Sequence, residues 1–131
     1  MSHLTTPGAV IYAKDLSKVS CFYEQLLQSI ATHAEDEYTV LELPHFQLVI
    51  HAIPDRIANT FQISSPPKRR GEAATKLMLP VASISKAREV AANLGGQIDA
   101  VDREWEFQHC RICDGHDPEG NVIQVRELIS R

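Results

Sequence analysis

Residues 8–13 form an apolar, strand-like run, Gly-Ala-Val-Ile-Tyr-Ala. Directly after it the apolar spacing changes to three and four. Leu16, Val19, Phe22, Tyr23, Leu26, Leu27 and Ile30 make one helical stripe. Asp15 stands where an N-cap belongs, with a carboxylate able to accept orphan N–H groups of the first turn. Strands are predicted next over 38–43 and, after a Pro44-His45 turn, over 46–53. The same order then returns. Residues 76–81 read as a strand, Ser83 or Ser85 caps, and Ile84, Ala87, Val90, Ala91 and Leu94 form a second helical stripe that Gly95-Gly96 ends. Strands follow over 97–101, 106–113 and 121–128. Asp15-Leu16-Ser17-Lys18-Val19 is echoed in Ser83-Ile84-Ser85-Lys86-Ala87, which fits a duplicated unit.

Strand parity separates two sheet faces, because side chains at i and i+2 share one side. One parity is almost wholly apolar: Ala9, Ile11 and Ala13; Leu48, Ile50 and Ala52; Leu77, Leu79 and Val81; Ile123 and Val125. This face should carry the helices. The other parity is mixed, with Gly8, Val10 and Tyr12; Gln47, Val49 and His51; Lys76, Met78 and Pro80; Val122, Gln124 and Arg126. A fully solvated face would hardly keep Val10, Val49, Met78 and Val122, so it should line a concave cup.

The 131 residues have the size of one domain: module one over about 8–53, a linker over about 54–75 and module two over about 76–128. The linker holds Ser64-Ser65-Pro66-Pro67 and Gly71 and reads as a connector or lid. A formal charge of −4 argues against nucleic acid as a partner. Lys68-Arg69-Arg70, the one basic cluster, reads as a solvated loop. No apolar run approaches the ~20 residues of a membrane-spanning helix. Residues 1–7 lack the basic start and apolar stretch of a secretory signal, so a cytoplasmic location is expected. Three cysteines, Cys21, Cys110 and Cys113, fit reduced thiols better than a disulfide framework.

The segment His116-Asp117-Pro118-Glu119-Gly120-Asn121-Val122-Ile123-Gln124-Val125 reads as a turn with Asp first, Pro second and Gly fourth, followed by a strand. It closely resembles the final hairpin of the glyoxalase/bleomycin-resistance/extradiol dioxygenase (vicinal oxygen chelate) superfamily. Val10-Ile11-Tyr12-Ala13-Lys14-Asp15-Leu16, with Phe22-Tyr23 beyond, resembles that superfamily's first strand and helix. The resemblance covers roughly residues 8–128. It implies an α+β fold of two βαβββ modules that form a curved mixed sheet around a cup, and a homodimer paired through sheet edges. Members that do chemistry hold one divalent metal through inward His and Glu positions, which fall here on Gly8, His51, Lys76 and Gln124. Glycine has no side chain, a lysine ammonium is itself a cation, and glutamine is a weak neutral donor, which leaves His51 alone as a good ligand. Neither metal nor other cofactor is therefore expected.

Other constellations carry less. His109-Cys110-Arg111-Ile112-Cys113-Asp114-Gly115-His116 holds a Cys-x-x-Cys with flanking histidines, but on a strand its two thiols face opposite sides. One should sit in the core and the other towards cup or solvent. Cys21 reads as a core-edge thiol, His45 as a turn residue, and His3 and His33 as exposed. Trp105 and Phe107 read as packing residues, with stacking on a flat ligand as the other role. Glu42, Glu104 and Glu106 are acids without a partner visible in sequence.

The expected ligand site is Tyr12, His51, Lys76, Met78, Gln124 and Arg126 on the mixed face. Lys76 and Arg126 would supply charge, His51 an acid or base, and Tyr12 and Gln124 orientation. The leading function is binding of a small organic ligand in the cup without metal, with no catalytic residue assigned. A metal-dependent lyase or dioxygenase of the same superfamily is the first alternative. A non-catalytic interaction module with its cup closed by side chains is the second.

Overall fold

The computed structural model describes residues 4–129, so His3 lies outside the described residues. Strand β1 (Gly8–Ala13) passes into helix α1 (Leu16–Leu27) at Asp15, whose carboxylate accepts the Lys18 N–H at 3.1 Å. Strands β2 (His33–Ala34), β3 (Tyr38–Leu43) and β4 (Phe46–Ala52) complete module one. Its sheet order is β1-β4-β3-β2, with β1 parallel to β4. A short helix, α2 (Asp55–Ala58), opens the linker. Module two repeats the plan with β5 (Leu77–Pro80), α3 (Ile84–Asn93), β6 (Gln97–Ile98), β8 (Cys110–His116) and β9 (Val122–Leu128). Their order is β5-β9-β8-β6, with β5 parallel to β9 and an added strand, β7 (Trp105–Phe107), on β8. Ser83 caps α3 through Lys86 N–H, as Asp15 caps α1.

The parity expectation holds. Ala13, Leu48, Ile50, Leu79, Ile123 and Val125 are buried in one core with Val19, Phe22, Tyr23 and Leu26 of α1 and Ile84, Ala87 and Ala91 of α3. Both helices therefore cover the apolar faces of both sheets, each large side chain contributing about 1.5–3 kcal/mol by burial. On the opposite faces Val10, Tyr12 and Met78 are more than half exposed.

The Asp117–Asn121 turn clasps the modules together. Asp117 is fully buried, and its carboxylate accepts four hydrogen bonds: Glu119 N–H (2.8 Å), Asn121 N–H (3.0 Å), Asn121 Nδ2 (2.9 Å) and Tyr23 Oη (2.7 Å). Glu119 reaches into module one and accepts the Lys14 and Asp15 N–H groups at 2.8 and 2.7 Å. Burial, then the adjacent Asp117 charge and its hydrogen bond, hold the Tyr23 phenol well above its ordinary pKa.

Several expectations need correction. Helix α1 stops at Leu27, where Gln28 turns left-handed (φ 50°), so Ile30 is 88% exposed rather than on the buried stripe. Cys21 faces solvent, not the core edge. The strand expected over 97–101 ends at Ile98, and Val101–Arg103 form a 3-10 turn. The strand expected over 106–113 is two strands joined at Gln108-His109, both at positive φ. A two-residue turn of this kind matches strand twist but usually carries Asn-Gly, so its residues gave no signal. The linker is tied to its surroundings: Lys14 Nζ donates to the Ala58 carbonyl, and Arg70 N–H donates to Gly120 O at 2.9 Å. Arg69 of the basic cluster forms a two-pronged pair with Asp99 at 2.8 and 3.2 Å, so that cluster is not simply solvated.

Candidate functional site

The open face of the first sheet carries a row set by strand register: Tyr12 on β1 pairs with His51 on β4, and His51 with Tyr38 on β3. Ring centroids of Tyr12 and Tyr38 lie 5.8 and 6.3 Å from that of His51, the second pair nearly parallel at 22°. His51 Nδ1 is 2.8 Å from Ala52 O. A carbonyl only accepts, so Nδ1 is the protonated nitrogen of this bond and Nε2 is the one turned away from it.

The second sheet's open face holds a hydrogen-bonded ladder. Lys76 Nζ lies 3.1 and 3.2 Å from the two Asp114 oxygens, and Gln124 Nε2 donates to Asp114 Oδ1 at 3.3 Å. Arg126 Nε donates to Gln124 Oε1 at 2.9 Å, and its guanidinium lies over the Phe107 ring at 5.9 Å. Met78 pairs with Gln124 on β5. Of the expected site residues, Lys76, Gln124 and Arg126 are thus joined, with Met78 beside them. Tyr12 and His51 sit together on the other sheet. A cleft of about 420 Å³ runs between Val10 and Tyr12 of β1 and Val122 of β9, bordered by Arg70 and Thr75 of the linker. A recess of about 250 Å³ opens beside Lys76 and Asp114.

Asp114, the hub of the ladder, escaped the sequence reading. Its signal was there: closing the hairpin at Asp117–Asn121 pairs His116 with Val122, and therefore Asp114 with Gln124. Phe107, expected in one strand with Cys110 and read as packing or as a stacking platform, lies on a separate strand. The real turn places it opposite Cys110, on the ladder's side.

The donor set does not suit a divalent metal. Gly8 offers no side chain, and a Cβ there would stand 2.0 Å from the Gln47 carbonyl oxygen. Lys76 is paired with Asp114, and the Gln124 amide is used at both ends. Register also places Val49, not His51, as the counterpart of Gln124, because Val49 pairs with Val10 as Gln124 pairs with Met78. Among the described residues no three His, Cys, Asp or Glu side chains gather as a metal cluster, and no buried side-chain nitrogen or oxygen lacks a partner.

The remaining candidates resolve as structure. Cys113 is buried, with Sγ donating to Asp99 O at 3.3 Å, while Cys110 faces the other side. Burial pushes the Cys113 thiol up, against the pull of Arg88, which disfavours a reactive thiolate. Glu104 and Glu106 have partners after all. Arg88 Nη2 binds Glu104 at 2.6 Å, and Arg111 lies 3.6 Å from Glu104 and 4.0 Å from Glu106, on the helix-covered side.

Two αβ-type modules of this plan, clasped by the Asp117 turn, define the glyoxalase/bleomycin-resistance (vicinal oxygen chelate) fold, and solved structures of that fold superpose over nearly the whole chain. A glyoxalase/bleomycin resistance protein/dioxygenase family enzyme from Burkholderia phytofirmans PsJN matches with a TM-score of 0.69 at 16% identity, covering 96% of this chain and 100% of that one. A glyoxalase-related enzyme from Fulvimarina pelagi gives 0.65 at 13% identity, covering 94% and 87%. The fosfomycin resistance protein FosX from Mesorhizobium loti gives 0.62 at 9% identity, covering 97% and 93%. No protein-family model and no curated protein sequence matches the chain.

Proposed function

We propose that this chain binds a small organic ligand on the open faces of its two sheets without a divalent metal. The carrying observation is the donor set: Gly8 has no room for a side chain, and Lys76 and Gln124 are spent on Asp114 and Arg126. Ligand contacts fall to Tyr12 and His51 on one sheet and to Lys76, Met78, Gln124 and Arg126 on the other, with Asp114 fixing the latter group. Elemental analysis of protein purified without added ions tests this, with metal expected well below one equivalent per chain. One equivalent of bound metal, lost on His51→Ala, overturns the reading in favour of a metal-dependent lyase or dioxygenase.

A homodimer is part of the same proposal. It is supported by β1 and β5 being edge strands, open to pairing with a second copy. Light scattering coupled to size exclusion should give twice the 14.6 kDa chain mass; the monomer mass overturns it. No helix among the described residues is long and apolar enough to cross a membrane. The free thiols of Cys21, Cys110 and Cys113 support a reducing, cytoplasmic setting.

A further inference from the structure

The ladder on the second sheet holds two cations and one anion. Lys76 and Asp114 neutralise each other at 3.1 Å. Arg126 is tied only through Nε, to the uncharged Gln124 amide, and none of the ion pairs among the described residues includes it. The acids Glu104, Glu106 and Glu127 pair with Arg111 instead, on the helix-covered side. Arg126 therefore presents its two terminal nitrogens as a fork that no acid among the described residues answers, with the guanidinium plane held by Gln124 and the Phe107 ring.

Apolar side chains flank this fork on the side away from the ladder. Trp105 and Phe107 alternate along β7 on the same side, 41% and 54% exposed. Ile112, between Trp105 and Arg126 in register, is fully buried and forms the floor. We infer that this face binds a planar aromatic carboxylate, the carboxylate taken by the Arg126 fork and the ring laid on Trp105 and against the edge of Phe107. A guanidinium fork matches the two oxygens of a carboxylate, and uncovered aromatic rings favour a flat apolar body. The inference rests on the metal-free reading above and narrows its ligand class.

The test is calorimetric titration of the full chain with 2-naphthoate, and with the uncharged 2-naphthylmethanol, in chelator-containing buffer. Trp105, the single tryptophan, gives an independent fluorescence readout. Naphthoate should bind at least about tenfold tighter than the alcohol, as expected for a charge-assisted pair. Arg126→Gln should remove that preference, and Phe107→Ala should weaken both ligands. Arg126→Lys, which keeps the charge but loses the fork, should lose most of the preference and serves if the glutamine variant fails to fold. Equal affinity for the two ligands, an unchanged preference in both Arg126 variants, or no naphthoate binding at millimolar concentration overturns the inference. Naphthoate binding that appears only when zinc or manganese replaces the chelator overturns the metal-free reading instead.

Discussion

The two modules share a scaffold and differ on the face that it leaves open. On the helix side both are apolar at matching positions: Ala13 and Val81 precede the two helix caps, and Ile50 and Val125 lie in the shared core. On the open side, matching positions have parted. Val49 and Gln124 pair with Val10 and Met78, while His51 and Arg126 pair with Tyr12 and Pro80. The first sheet bears rings and one imidazole. The second bears charges chained from Lys76 to Arg126. Packing constrains a face that must fill a common core, whereas an open face is free to take up different chemistry.

That contrast can be broken in order of expected effect. Asp117→Ala should cost about 3–5 kcal/mol, since it orphans four donors of the clasp in a buried site. Urea unfolding followed at Trp105 and by circular dichroism should stay a single transition, because the modules share one core. Two separate transitions would show that the modules are independent units and the comparison one of two domains.

Tyr23 should govern alkaline stability. Its folded pKa is raised, so its contribution is complete below the usual tyrosine value of about 10 and is lost as pH rises towards the folded value. The expected slope is about 1.4 kcal/mol per pH unit above pH ~10, flattened by Tyr23→Phe. That variant itself should cost about 1–2 kcal/mol at neutral pH. An unaltered slope in the variant would remove Tyr23 from the account.

The sharpest contrast between the sheets is Asp114→Ala against His51→Ala. The first strands Lys76 and Gln124 in a partly exposed ladder and should cost about 1–2 kcal/mol. The second removes a ring with one backbone hydrogen bond and should cost about 0.5 kcal/mol. Thermal melts of both variants check the order, and equal losses would erase the difference in how the two faces are built.

Most of the scaffold was legible because periodicity reports burial. The Leu16–Leu27 stripe, the Asp15 cap and the parity of four strands each followed from which side chains must meet a core. Legibility failed where backbone conformation, not burial, decides. Gln28 ends α1 without a glycine, and Gln108-His109 turn without Asn-Gly, so the stripe read on to Ile30 and one strand was expected over 106–113. The site was half legible. Lys76, Gln124 and Arg126 emerged from parity, but the bonds among them run through Asp114, whose place depends on hairpin register. Partners for Arg69 and Glu104 lie on distant segments, Asp99 and Arg88, and Glu106 meets Arg111 only through the unsignalled Gln108-His109 turn, so one-dimensional spacing does not bring these pairs together.

Gly8 limits what the open face of the first sheet can be made to hold. A carbonyl 2.0 Å from its missing Cβ means that any side chain at this position requires β1 and β4 to slide apart first. A single codon change there would disturb the sheet before it supplied a ligand, so the first step towards a four-ligand centre is uphill. The glycine acts as a block, and a protein engineer wishing to install a metal would have to reseat the Pro7–Gln47 strand junction before choosing any ligand.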